Sequence, residues 1–555
     1  MSRTVVTKSS ALNGLCVAIL LTCQALTASS QPVSDDRVAE LVRQASAELG
    51  ATTRSQADVG ATDLTLDEAV ARALDNNLDI AVERINPETA NLFIASVKGA
   101  YRPVVSSTLG TSYIVQLPTS QLIGGTRVEN EAATANVGLA YNLPWFGGAV
   151  SAAFNNRRQD STNLFTTFNP QFNATLSFNL VQPLLRGFRI DLTRQQLLVQ
   201  QINRDISEVE LKATLISTVA NVRTTYWDLV AAREAVEVAR RSVALAEKLI
   251  EENTIRVEVG TLAPIDVYQA QSEAAARRQT LAQAEQALTT SALALKRLIV
   301  RGTDDPLWPA SINPVDRPDF RPAPVDVAGA VRNALEARTD LMQARKQLES
   351  SSVNVRYLGN QRLPGLDVVA GYGLQGIGGT RYIREGTGGP IIAIIPGDYG
   401  DAFTMMTNAD YPNWNAQLVF SYPIGTSSAD ALYARSKLQL SQAQARIRAL
   451  ELQVATEVTN IASQIESNLK RVEAATAARE LAQKRLEAEG SKFEVGMSTN
   501  FFVVQAQRDL FDAQIVELRA RLDYQKSLVE FERVQQTTAR NGTAAASATL
   551  GSASQ

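Results

Sequence analysis

Side chains able to do chemistry are scarce in this sequence, and their spacing argues against catalysis. Histidine is absent, which removes imidazole acid–base chemistry, His-based triads and most zinc sites. The only cysteines, Cys16 and Cys23, lie in an apolar stretch near the N-terminus. Acid pairs such as Glu251-Glu252 and Asp304-Asp305 are adjacent in sequence. Neighbouring side chains diverge on a helix, so these describe solvated faces rather than convergent carboxylates. GIGG at 376–379 and GTGG at 386–389 are glycine-rich, but no lysine follows to complete a phosphate cradle; loops between strands account for both. Asp401 and Asp410 offer oxygens to a cation, with no spacing that demands one. Basic and acidic residues are interspersed and nearly balanced, with a net charge of −3, so nothing recommends a nucleic-acid partner. No enzyme activity, cofactor or metal site is expected.

What stands out instead is a sentence written twice. RVEVGTLAPIDVYQAQSEA (Arg256 to Ala274) and KFEVGMSTNFFVVQAQRDL (Lys492 to Leu510) share Glu-Val-Gly, then a Val and Gln-Ala-Gln at matching offsets. Gly260 and Gly496 sit where a helix ends on a left-handed residue. Thr261, and Ser498 or Thr499, suit the cap of a returning helix, and Pro264 suits its first turn. Each stretch is therefore expected to be the tip of a helical hairpin.

The elements that hold these tips repeat as well. LTLDEAVARALDNNLDI (Leu64 to Ile80) matches VDVAGAVRNALEARTDL (Val325 to Leu341) at a constant offset of 261, with Ala69/Ala330, Ala73/Ala334 and Asp79/Asp340 among the identities. Each module predicts a short opening helix, strands, a very long helix, a turn and a medium helix. The opening helix of the first module is expected from about Thr65 to Ala100. The first long helix starts near Asp191 or Thr193 and runs to Val259 without Pro or Gly. At 1.5 Å per residue it spans about 100 Å. Val236, Val243, Ile250 and Val257 recur every seven residues, the period of a coiled-coil seam. The second long helix, from about Ser428 to Val495, is interrupted only by Gly490. Opening and returning helices are each about half as long, so laid end to end they match one long helix.

Between opening and long helices, segments such as VVSSTLGTSYIVQL, ANVGLAYNL, FNATLSFNLVQP, GLDVVAGYGLQ and WNAQLVFSYP alternate apolar with small or polar residues. Two architectures share that period: transmembrane barrel strands, apolar outward and polar inward, or strands of a soluble sandwich. The strands of one module are too few to close a barrel, and an open edge is not viable in lipid. A membrane-spanning reading therefore requires oligomerisation. No later segment has eighteen consecutive apolar residues.

The expected organisation is a secretory signal over 1–28, a first repeat over 60–300, a Pro-rich extended connector over 301–326, a second repeat over 327–540 and a low-complexity tail over 541–555. Arg3 and Lys8 precede the apolar run, and small residues follow it. Cleavage removes both cysteines. A lipid anchor at Cys23 is disfavoured, because Thr22 is larger than the residue usually found before a lipidated cysteine.

This plan resembles the TolC-like outer-membrane factors, the exit ducts of bacterial efflux pumps and type I secretion systems. The resemblance covers roughly residues 60 to 540. It rests on LTLDEAVARALDNNLDI, on QPLLRG (Gln182 to Gly187), on TTYWDL (Thr224 to Leu229) and on the two Val-Gly turns. It implies an α+β membrane protein: a homotrimer whose β-barrel crosses outer-membrane lipid and continues into a long α-helical coiled-coil tunnel through the periplasm, built from two tandem structural repeats. It also implies a periplasmic adaptor (membrane-fusion) protein and an inner-membrane transporter as partners. Members usually give four strands per protomer. Here an additional hairpin, about Ala133 to Asn156 around LPWFGG, has no counterpart in the second module. It widens the barrel, forms an external loop or packs at the periplasmic rim.

The resemblance places the tips at the periplasmic end, where the adaptor docks and the pore closes. Candidate docking residues are Val259, Gly260, Thr261, Val495, Gly496 and Met497. Many members carry an Asp just after the turn. This sequence keeps Asp266 in the first module but has Phe502 beside Phe501 in the second, and Gln505 one turn on. An apolar constriction at Phe501 and Phe502 is expected, with Gln505 and Asp266 as the remaining gate candidates. The competing reading has both rings packed between helices. For the whole protein, the competing function is a non-conducting coiled-coil scaffold or tether of the cell envelope.

Overall fold

The computed structural model describes residues 61–117, 127–317, 325–386, 389–425 and 427–536. The secretory signal, Cys23 and the low-complexity tail lie outside the described residues. The chain divides into two compact units, the smaller holding, among the described residues, Ala61, Thr62 and Val300–Ile312. In this unit residues 301–310 form turns, not the extended connector expected from proline content. Asp305 explains the difference. Its N–H donates to Gly302 O, and its Oδ1 accepts from Leu307 N at 2.9 Å, an Asx turn that folds the chain back.

The first half of the chain contains β1 (Ala61–Leu64), α1 (Leu66–Asn76), α2 (Leu78–Gly99), β2 (Val104–Gln116), β3 (Val128–Asn142), β4 (Ala149–Ser161), β5 (Phe168–Pro183), α3 (Leu192–Glu258) and α4 (Pro264–Ile299). The second contains β6 (Ser311–Pro314), α5 (Val327–Ala337), α6 (Thr339–Gln361), β7 (Gly365–Arg384), β8 (Ile391–Ile395), α7 (Tyr399–Thr407), β9 (Pro412–Ser421), α8 (Ser428–Glu494) and α9 (Asn500–Gln535). The long helices α3 and α8 have 67 residues each, and the returning helices α4 and α9 have 36 each. Asp191 caps α3 by accepting from Arg194 N, and Ser427 caps α8 in a capping box with Asp430.

The opening helix expected as one piece is two. Asn77 has ψ 126°, outside the helical region, and its Oδ1 accepts from Asp79 N and Ile80 N to start α2. Its Nδ2 donates to Leu298 O at 3.1 Å, and Asn76 Nδ2 donates to Ile299 O. The corner thus satisfies carbonyls orphaned at the C-terminus of α4, so α2 and α4 meet end to end. Arg338 makes the matching corner between α5 and α6, with ψ 130°. There Gln536, just past α9, donates from Nε2 to Thr339 Oγ1 at 2.9 Å.

The expected seven-residue seam holds for half its length. Val236 and Val243 are buried, but further along the buried positions are Ala246, Leu249 and Asn253 rather than Ile250 and Val257. Ala239, Ala246 and Asn253 keep the period of seven, while Leu249, six residues after Val243, takes the place expected for Ile250. The second half is held by Val454, Val458, Ile461, Ile465 and Val472 of α8 packed against Ala520, Tyr524 and Val534 of α9. Burying each such aliphatic side chain stabilises by roughly 1.5–3 kcal/mol.

Six long antiparallel strands form one sheet in the order β2-β3-β4-β5-β7-β9, with short β8 pairing the far end of β7. The additional hairpin is β3 and β4, which lie inside this sheet between β2 and β5. Its turn, 143–148, packs at the strand-to-helix junction: Phe146 stacks on Phe188 at 4.7 Å, and Gln182 Nε2 donates to Phe146 O.

Register carries one face code across all six strands. Val105, Leu139, Ala152, Phe178, Tyr372 and Trp414 are successive partners in one row. The row beside it runs Ser106, Gly138, Ala153, Ser177, Gly373 and Asn413. Successive residues point to opposite faces, so one face is apolar and the other small or polar. The Gly376–Gly379 run lies within β7, not in a loop. A Cβ at Gly376 or Gly378 would collide with the backbone of α7, which rests Ala402 and Met406 on Phe154, Phe172, Ala174 and Leu374 of the apolar face. Asp401 is used in the capping box of α7, accepting from Asp398 N.

Candidate functional site at the helical tips

The two helix ends are backbone copies. Val259 and Val495 are the last residues before the turn, and Gly260 and Gly496 both have φ +78°. Gly260 N–H donates to Val257 O and Thr261 N–H to Arg256 O; Gly496 N–H donates to Phe493 O and Met497 N–H to Lys492 O. These are the two bonds of a Schellman motif, which satisfies terminal carbonyls only when the turning residue is left-handed. Glycine supplies that conformation without a steric penalty. No atom lies within 4 Å of where a Cβ would stand on either glycine, so the requirement is conformational and not one of space.

Around this shared backbone the side chains are exposed. Val259 and Val495 are 70% and 71% accessible and Met497 80%; Thr261 is exposed and bonds back to Arg256 O. Phe501 and Phe502 open α9 and touch each other edge to face, with centroids 5.6 Å apart. They remain 58% and 50% accessible. Within the chain, therefore, they do not pack between helices. The next residues, Val503 and Val504, do, against Leu249, Ala270 and Phe493. Gln505 is half-buried and donates to Asp509 Oδ1 at 2.8 Å. Asp266 is also half-buried, and its main-chain oxygen accepts from Asn500 Nδ2.

That bond belongs to a contact joining the two tips. Asn253 of α3 and Asn500 of α9 are both buried, and Asn253 Nδ2 donates to Asn500 Oδ1 at 2.9 Å. Arg256 donates to Phe493 O and places its guanidinium 4.3 Å from the Phe493 ring centre, a cation–π contact. Higher up, Glu273 of α4 is 2% exposed as a side chain and takes Arg277 at 2.6 Å. It also accepts from Arg508 Nε of α9 at 2.8 Å. Burial pushes the Glu273 carboxyl up, but the hydrogen bonds from Arg508 and Arg277 outweigh it and hold the carboxyl below its ordinary range.

Sequence reading named the turning glycines and exposed aromatics but missed Asn253, Arg256, Glu273, Asn500 and Arg508. A signal existed. At the offset of 236 that aligns the tips, Asn253 faces Glu489, Glu273 faces Asp509, Pro264 faces Asn500 and Ser272 faces Arg508. The contacts joining the tips thus stand where the twin stretches differ.

A family model described as outer membrane efflux protein matches residues 117–300 and 330–534. Outer membrane efflux protein BepC of Brucella suis biovar 1 (strain 1330) is 23% identical over 430 residues, covering 77% of this chain and 84% of that protein. Among solved structures, the outer-membrane channel OprN superposes with a TM-score of 0.61 at 16% identity, covering 85% of this chain and 89% of its own. The Campylobacter jejuni CmeC outer membrane channel gives 0.59 at 16% identity, covering 88% and 91%.

Proposed function

The chain belongs to the outer membrane efflux protein family, and from that premise we propose that it is the gated, passive exit duct of a tripartite efflux pump or type I secretion system. It resides in the bacterial outer membrane. The observation that carries the proposal is a sheet with one apolar and one polar face, whose edge strands β2 and β9 each have one side without a strand partner among the described residues, joined to two helices of 67 residues. Such a sheet fits lipid on one side and water on the other. Three copies close it into a barrel, and their helices form the periplasmic tunnel. The matching lengths of α3 and α8, and of α4 and α9, support an origin in two tandem repeats.

The tips face the periplasmic end. The exposed apolar side chains around each glycine, Val259, Val495 and Met497, form the surface that receives a periplasmic adaptor linked to an inner-membrane transporter. Phe501 and Phe502 of the copies converge as an apolar constriction that seals by dewetting. Their half-exposed state within one chain supports this. Planar-bilayer recording tests both levels. Phe501→Ala with Phe502→Ala is expected to raise single-channel conductance several-fold; unchanged conductance refutes the gate. A protein that conducts in neither form is a tether and not a duct.

A further inference from the structure

The hairpin β3–β4 obeys the same face code as its neighbours. Thr108, Asn136, Asn155, Thr175 and Gln375 form one continuous polar row through β2, β3, β4, β5 and β7. Its apolar residues, Val137, Leu139, Ala152 and Phe154, fall on the face that carries Phe178 and Tyr372. A loop packed outside a barrel has no reason to alternate in phase with the wall. At the free edges, all thirteen residues of β2 and all ten of β9 are exposed.

These edges fit each other. β2 leaves the helical end of the sheet and β9 returns to it, so a neighbouring copy's β9 laid beside β2 is antiparallel, like every other pair. Their faces also continue. Val105, Leu109 and Tyr113 of β2 lie on the apolar face, as do Trp414, Leu418 and Phe420 of β9; Ser106, Thr108 and Ser112 lie on the polar face, as do Asn413, Asn415 and Gln417. An unpaired edge cannot stand in hydrocarbon, and only a second copy supplies the missing row of partners in register with both faces.

Resting on the reading of the protein as a barrel-forming duct, we propose that the barrel wall takes six strands from each copy and closes by pairing β9 of one copy with β2 of the next. A three-copy ring then has about eighteen strands, a size at which barrels hold a water-filled lumen. Its wall facing water is lined chiefly by amide, hydroxyl and glycine positions, with Arg157 of β4 and Asp367 of β7 on the same face, so it suits bulky polar solutes.

Disulfide cross-linking of the full-length protein in its native membrane tests this, because the chain has no cysteine beyond Cys23. The pair Asn136→Cys with Asn155→Cys, directly opposed in β3 and β4, should close within one chain. Thr108→Cys should cross-link to at least one of Asn413→Cys, Asn415→Cys or Gln417→Cys between chains, giving a covalent ladder. Thr108→Cys with Thr175→Cys should not close, since three strand spacings put them about 14 Å apart, beyond the roughly 7 Å a disulfide spans. If that last pair closes within a chain, β2 lies beside β5, the hairpin is outside the wall, and the proposal falls. It also falls if Thr108→Cys links to none of the β9 positions. Bilayer recording on the same preparations keeps the two readings apart. Conductance with a Thr108–Thr175 disulfide overturns only the strand count, whereas absence of conductance even when Phe501→Ala and Phe502→Ala are added overturns the duct.

Discussion

The tip at Gly260 and the tip at Gly496 share a backbone to within the last hydrogen bond and share little else. Both end in a Val, turn at φ +78° and close the same pair of bonds. Beyond the glycine, one offers Ile265 and Asp266 and the other Phe501 and Phe502. The turn is fixed by orphan carbonyls and a left-handed residue, which leave no room for variation. The side chains around it answer to different neighbours, so duplicated stretches can keep one geometry while specialising.

The sharpest way to break that comparison uses Glu273 and its twin Asp509. Glu273 is buried with Arg277 and spans to Arg508 on the other hairpin, whereas Asp509 pairs Arg485 at a half-exposed site. Glu273→Ala leaves a buried guanidinium uncompensated and should cost about 3–5 kcal/mol. Asp509→Ala should cost less than about 1 kcal/mol. Denaturant melts of the assembled protein measure both, and equal losses would erase the distinction between the tips. The same link has a defined response to acid. A carboxyl held below its ordinary range stabilises the fold fully above the unfolded-state value of about 4.3. That stability fades as pH falls through the depressed folded-state value, so the joined tips should hold at neutral pH and loosen only in strong acid.

The glycines set the next largest effect. Gly260→Val and Gly496→Val each force a β-branched residue to φ +78°, at roughly 1–3 kcal/mol. Because the strain is in the backbone, the two losses should agree within experimental error in thermal melts of the assembled protein. A large difference would mean that one turn relaxes and the copies are not equivalent. The Ala variants at both positions should follow the same order with smaller losses.

How much of this was legible follows from what kind of force fixes each feature. Local signals were plain: Asp191 is a cap, Gly260 and Gly496 are stops, and strand alternation matches the two faces of the sheet. Asn77 was opaque, because an Asn-Asn pair in a helical text declares a corner only once Leu298 O arrives to be satisfied. The GIGG run at 376–379 suggested a loop, yet the missing side chains of Gly376 and Gly378 serve the close approach of α7 to β7. The Asn253–Asn500 and Glu273–Arg508 contacts join residues 247 and 235 positions apart. No period within either hairpin carries such a pairing; only the mismatch between twins hints at it.

The smallest change in stability, and the most direct readout of specialisation, comes from exchanging the residues that face outward. Ile265→Ala with Asp266→Ala removes little packing, since Ile265 is exposed and the main-chain oxygen of residue 266 can still accept from Asn500. Phe501→Ala with Phe502→Ala likewise removes two half-exposed rings. Surface changes of this kind should shift stability by no more than about 0.5–1 kcal/mol. In bilayers the two double variants should part company: the second tip's variant opens the channel several-fold, and the first tip's variant changes conductance by less than about twofold, a free-energy difference under about 0.4 kcal/mol at 0.59 kcal/mol per RT. Equal opening by both would show that the constriction is shared between the tips and that the aromatic pair is a local variation without a separate role.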